Sequence, residues 1–286
     1  MTPTATPAEP PTRPPRAGRA RRSPEARAEA AEQRRMEHDL RHAVAQDALV
    51  LLYQPIRALR SETVTGAEAL IRWPHRRRGL LSAAAFLPLA ERSDLITEIG
   101  GWTLAHACRE AANWPAPADG FAPVVSVNIA ARQLHNGALL AQVATALDAS
   151  ALPPERLQLE LSEAMLLDVD SDMLLSLSAI ADLGVGLALD YFGAGYASLA
   201  MLKRLPLTAL KLDRALIRDL PDQPEDAAIA RAVIDTGHAI GLVVVAEGIE
   251  TERQRDYLAA IGCDEGQGHL FAQPLTPAQL MRLLRS

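Results

Sequence analysis

From Leu49 to the C-terminus, short Val/Leu-rich runs alternate with longer stretches of helical periodicity, and this alternation constrains the fold more than any other feature. The strand-like runs in the first half are Leu49–Gln54, Thr63–Arg72, Val124–Asn128 and Leu157–Leu161. Gly186–Asp190, Ala209–Leu212, Leu242–Ala246 and Glu265–Leu270 follow in the second. Helical spacing of apolar residues fills most gaps: Leu95–Trp114, Leu139–Leu147, Met173–Leu183, Ala227–Ile240, Glu250–Ala260 and Pro277–Leu284. Eight strands interleaved with helices over this length predict an α/β fold, a (β/α)8 TIM-like barrel rather than an open sheet. The connection at Ala58–Glu62 is too short to hold a crossover helix. The first two strands are therefore expected to pair antiparallel, a departure from the regular barrel.

The barrel is assigned to residues 48–286, and two segments of different character precede it. Seven prolines fall in the first 24 residues, interspersed with Arg13, Arg16, Arg19, Arg21 and Arg22. Residues 1–23 cannot bury enough apolar surface to offset their ordering entropy, which predicts a disordered tail. Residues 24–47 read as a helix, with Ser23 as its cap, Pro24 at the first helical position and Glu25 in the first turn. Met36, Leu40 and Val44 line one face of it, a stripe expected to dock on the barrel, with a regulatory protein partner as the alternative.

No apolar run approaches the roughly 20 residues that cross a bilayer, which argues against a membrane span. No apolar core follows the Pro/Arg-rich start, so it does not read as a secretory signal. Cys108 and Cys263 are too few for a disulfide framework and lack metal-site spacing; both are expected as buried hydrophobes in a reducing cytoplasm.

Residues 1–44 carry nine arginines against six acidic residues, a net of +3, leaving −9 on the remaining 242. An acidic body argues against nucleic acid as a partner and is compatible with carboxylates gathered around a cation. Of the 29 basic residues 27 are arginine, which singles out Lys203 and Lys211.

Polar residues interrupt the apolar strands at informative places. Glu68 lies within Ala67–Ile71, Asn128 ends its run, Glu160 sits in Leu157–Leu161, and Asp190 ends the fifth. Lys211 precedes Leu212, Glu247 ends Val243–Glu247, and Gln54 and Gln267 belong to the first and last runs. In a barrel these positions converge on the C-terminal face, where barrel active sites are built. Several carboxylates with one Asn and one Lys, and no cluster of His or Cys, point to a hard, oxygen-ligated Mg²⁺ or Mn²⁺. Taken singly, each is equally a cap or a salt-bridge partner; their joint occurrence at strand ends carries the reading.

These residues also carry a family resemblance. Tyr53-Gln54-Pro55-Ile56, Glu68-Ala69-Leu70 with Arg72-Trp73, and Leu87-Pro88-Leu89-Ala90-Glu91 resemble successive signatures of the EAL-domain family. Val127-Asn128-Ile129, Leu159-Glu160-Leu161-Ser162-Glu163, Lys211-Leu212-Asp213-Arg214, Ala246-Glu247-Gly248-Ile249-Glu250 and Gln267-Gly268 continue in the same order. The resemblance implies a barrel with an antiparallel first strand pair and divalent-metal hydrolysis of one phosphodiester of cyclic di-GMP, giving linear pGpG.

Carried over by position, Glu68, Asn128, Glu160 and Asp190 match the ligands of a first metal, and Asp190 bridges to a second with Glu247. Lys211 would help hold the nucleophilic water, with Glu247 as base. Gln54, Leu70, Arg72 and Gln267 match positions that hold the dinucleotide, and Glu163 the residue that braces the loop after Asp190. A homodimer and a regulatory protein acting through the N-terminal helix are the further partners expected.

One departure stands out. Where the family writes Asp-Asp-Phe-Gly-Thr-Gly, this chain has Asp190-Tyr191-Phe192-Gly193-Ala194-Gly195. Tyr191 replaces a ligand of the second metal, and a bulky phenol with a pKa near 10 is a poor substitute for a carboxylate. Binding is therefore expected to survive better than turnover, which leaves a slowed phosphodiesterase and a catalytically silent cyclic di-GMP receptor as competing readings.

Overall fold

The computed structural model describes residues 24–116, 122–135, 137–168, 170–192 and 199–286, without the side chains of 24–27, 29–30, 166–168, 191–192 and 199–200. Among them are nine strands: β1 (Val50–Ala58), β2 (Val64–His75), β3 (Gly79–Ser82), β4 (Val124–Asn128) and β5 (Leu157–Ser162) come first. Then follow β6 (Gly186–Phe192), β7 (Ala209–Leu212), β8 (Val243–Ala246) and β9 (Glu265–Gly266). Eight of them close a ring in the order β1, β9, β8, β7, β6, β5, β4, β2 and back to β1, while β3 hangs on β2 outside it.

From β2 round to β9 every neighbour in the ring is parallel. β1 runs antiparallel to both its neighbours, β2 and β9. The cause lies in the β1–β2 connection. Ala58 N donates to Thr63 O (3.0 Å) and Glu62 N to Ala58 O (2.8 Å), with Glu62 at φ 58°, so the chain reverses in place.

Around the ring stand α1 (Pro24–Ala45), α2 (Ala83–Ala90), α3 (Leu95–Ala111), α4 (Ala131–His135), α5 (Ala138–Ser150) and α6 (Ser171–Asp182). The second half adds α7 (Leu199–Leu202), α8 (Arg214–Ile217), α9 (Pro224–Ala239), α10 (Glu252–Ala260) and α11 (Pro277–Leu283). None of the described helices is long and apolar enough to cross a membrane.

The strands alternate as barrel strands must. Leu159, Leu161, Leu187, Leu189, Leu210 and Leu212 are fully buried on one parity. The other parity carries the polar interior, where Ser126 Oγ donates to Gln158 Oε1 (3.0 Å) and Glu160, Asp190 and Lys211 are buried.

β4 and β7 have the limits that periodicity gives them. The last run does not. Glu265–Leu270 shrinks to a two-residue β9, because the chain beyond it turns to bond the loop after β8: Ile249 N donates to Gln267 O and Leu270 N to Ile249 O. The hairpin strand β3 and the short helices α4, α7 and α8 are too brief to show a period.

The stripe on α1 docks on the body. Met36, Leu40 and Ala43 are buried in the common core, with Val44 partly buried beside them, against α2 and α3. Cys108 and Cys263 are buried and unpaired, and burial pushes both thiols up to about 12.

Candidate active site

Register brings the strand-end polar residues together. Gln54 of β1 faces Glu68 of β2, Asn128 of β4 faces Glu160 of β5, and Ser162 of β5 faces Asp190 of β6. Glu247 lies just past β8, where its N–H donates to Leu212 O of β7 (3.1 Å).

At the centre is Lys211, 1% exposed. Its Nζ lies 2.6 Å from Glu247 Oε1, 2.7 Å from Glu160 Oε1 and 3.4 Å from Glu68 Oε2. Glu68 also accepts from Asn128 Nδ2 at Oε1 (2.6 Å) and from Gln267 Nε2 at Oε2 (2.7 Å). Gln267 Nε2 reaches Gln54 Oε1 (3.0 Å), and Gln54 Nε2 in turn donates to Ala272 O (3.2 Å).

The electrostatics follow from one ammonium shared by four carboxylates. Burial alone favours a neutral lysine, but Glu160, Glu247, Glu68 and Asp190 overcome it and hold Lys211 charged well above its ordinary range. Burial, then the charge of Glu68, drives the Glu160 carboxyl well above its usual range. Glu68 ends below its usual range: burial opposes ionisation, but the Lys211 charge and the hydrogen bonds from Gln267, Asn128 and Lys211 prevail. Burial, opposed by Lys211 and reinforced by Asp190 and Glu68, pushes Glu247 up to about 7. A carboxylate there is poised for proton transfer near neutrality.

The donor set suits a hard divalent cation. Glu68, Glu160, Asp190 and Asn128 offer oxygen only in their carboxylates and amide, and the cluster holds more negative charge than one lysine can balance. Glu160 Oε2 is buried with no hydrogen-bond partner among the described residues, the kind of atom that a cation would satisfy. Among the described residues no three His, Cys, Asp or Glu side chains already stand in ligating geometry; the carboxylates close on Lys211 instead.

Above the cluster opens a pocket of about 260 Å³, lined by Gln54, Glu68, Leu70, Asp190, Glu247 and Gln267. Arg214, Gly248, Glu250, Gly268 and His269 complete its wall, with Arg214 paired to Glu250 at 2.6 Å. Two glycines make this wall feasible. A Cβ on Gly268 would collide with the backbone of Ile249, and Gly248, at φ +73°, would press one into Arg214.

Sequence reasoning did not single out Arg214, Glu250 or His269 as site residues. Arg214 and Glu250 stand inside the Lys211–Arg214 and Ala246–Glu250 motifs, and His269 follows Gln267-Gly268, so adjacency was the available signal. Asn128, Glu160 and Lys211 lie outside the pocket wall, in the network next to Glu68. Arg72 is half-buried beyond it and donates to Ile71 O (2.9 Å).

Glu163 is buried where a short 3₁₀ turn, Glu163–Asp168, follows β5. The loop it is expected to brace, residues 193–198 with Ala194, lies outside the described residues. Tyr191 is placed only as backbone within β6; its side chain also lies outside them.

Residues 37–274 match the model of the EAL domain. The chain belongs to the EAL-domain family. Its relatives include two phosphodiesterases of Pseudomonas aeruginosa. The bifunctional diguanylate cyclase/cyclic di-GMP phosphodiesterase MucR is 40% identical over 257 residues, 89% of this chain and 37% of MucR. The cyclic di-GMP phosphodiesterase NbdA is 41% identical over 258 residues, 90% of this chain and 33% of NbdA. The chain thus spans about a third of the length of these curated relatives. Among solved structures, the MucR phosphodiesterase in complex with c-di-GMP is similar at TM-score 0.80 and 40% identity, covering 86% of this chain and 99% of that one. EAL phosphodiesterases are generally divalent-metal dependent.

Proposed function

We propose that this EAL domain hydrolyses one phosphodiester bond of cyclic di-GMP to give linear pGpG, at a rate lowered by Tyr191. The observation that carries this reading is the pocket itself, in which Glu68, Asp190 and Glu247 stand over the buried Lys211. Gln54, Leu70, Arg72 and Gln267 hold the dinucleotide, and the guanidinium fork of Arg72 suits a phosphate. Glu247 takes the proton of the attacking water, and Lys211 helps position that water.

Glu68, Asn128, Glu160 and Asp190 would hold Mg²⁺ or Mn²⁺, with Asp190 and Glu247 toward a second ion. Divalent cations supply Lewis-acid stabilisation of phosphoryl oxygens and activation of water. Tyr191 in place of the family's second aspartate favours one other reading, a receptor that binds cyclic di-GMP without turnover.

A product assay with cyclic di-GMP and excess Mg²⁺ or Mn²⁺ separates them, run on the native chain and on Tyr191→Asp. Restoring one carboxylate is worth several kcal/mol of barrier, so pGpG formation is expected to rise by about a hundredfold or more. Binding in Ca²⁺ without any product from the native chain would favour the receptor. Steady native turnover with no gain in the variant would show that Tyr191 is not the defect. Undetectable binding by the native chain would overturn both readings.

A further inference from the structure

A second cleft, of about 830 Å³, opens between α1 and the turn that joins β2 to β3. Its charge is unlike the rest of the body. α1 contributes Arg34 and Arg35, and the turn contributes Arg76 and Arg77. None of these four guanidinium groups has an ion pair or side-chain hydrogen bond among the described residues, whereas their neighbours Arg41 and Arg78 are paired with Glu37 and Glu32. His38, His42 and His75 add three imidazoles, and the single acidic side chain is Asp39, 3.8 Å from His75 Nε2.

The walls of the cleft are fixed by contacts other than those of the four arginines. Apolar packing of Met36, Leu40 and Ala43 fixes α1, buried Trp73 contributes to the lining, and Arg78–Glu32 (2.5 Å) ties the turn to the helix. The four exposed guanidinium groups thereby line the two walls of one cleft, open to an anion that enters it. The chain's own first 23 residues are the wrong occupant, since they carry five arginines and one glutamate.

We propose that this cleft binds a compact, multiply charged phosphoryl anion, such as pyrophosphate or the phosphate chain of a free nucleotide. Guanidinium forks match phosphoryl oxygens two at a time. The volume lies within the range of small-molecule sites, and a concave cleft admits a compact ligand where a flat bilayer cannot enter. The cleft is separate from the pocket over Lys211, with which it shares no lining residue.

The test is calorimetric titration of the full chain with inorganic pyrophosphate. Saturable one-site binding is expected, weakened about tenfold or more by Arg76→Gln/Arg77→Gln and unaffected by Arg72→Ala. Arg34→Gln/Arg35→Gln, on the opposite wall, should weaken it likewise, and serves if the first variant does not melt like the native chain. A parallel flotation with phosphatidylglycerol vesicles separates the free anion from a lipid headgroup. Absence of saturable binding overturns the proposal. So does loss in Arg72→Ala with retention in both cleft variants, or flotation with vesicles by a chain that does not bind pyrophosphate.

Discussion

Lys211 owes its charge to its neighbours, and Glu68 owes its own in part to Lys211. Glu160, Glu247 and Glu68 are desolvated, and each lies within 3.4 Å of its ammonium. Breaking a buried ionic group from one side leaves uncompensated charge, so Lys211→Met should cost about 3–5 kcal/mol of stability in urea unfolding without divalent cations. Part of that loss should return on acidification, as burial already raises Glu160 well above its usual range and Glu247 to about 7. A variant as stable as the native chain would show that the carboxylates are neutral without the lysine. The residue was legible beforehand because arginine supplies nearly all other positive charge, and the carboxylates because polar groups inside apolar strands are costly. Arg214 and His269 were not legible in the same way. Arg214 opens the one-turn helix α8 and His269 lies on the loop after β9, and both reach the pocket beside Gly248 and Gly268, whose close approaches have no periodic signature.

At the scale of elements, α1 is part of the folded body. Leu40 is 0% exposed within the common core, on a helix joined to the barrel through α2 and α3. Leu40→Ala should therefore destabilise by about 2–5 kcal/mol in denaturant unfolding. Leu175→Ala, at a side chain on α6 that is 68% exposed, should stay within about 0.5 kcal/mol. Equal effects would mean that α1 does not pack in solution. The alternation of strand and helix made the ring order and the reversed β1 legible, since a short connection leaves no room for a crossover. Strand limits were less so. β1 and β2 run on past Gln54 and Arg72 because pairing, not local apolar content, sets where a hairpin stops.

At the scale of the molecule, all eight ring strands, or the residues just beyond them, contribute to the site. Lys211 and Glu68 are 143 residues apart in sequence, and Gln267 and Gln54 are 213 apart. No fragment of the barrel can hold this arrangement, so site formation and barrel closure are one event. A ligand that binds there stabilises the whole fold by mass action. With Ca²⁺ as a non-catalytic cation, cyclic di-GMP at a hundred times its Kd should add about 2.7 kcal/mol. For a chain of this size that raises the melting temperature by about 5 °C or more. The gain should appear as a displacement of one cooperative transition, followed by far-UV circular dichroism and by tryptophan fluorescence together. Arg72→Ala should shift less at the same ligand concentration, since losing the phosphate contact proposed for it would lower occupancy. A ligand effect confined to one probe would mean that part of the barrel opens independently of the site.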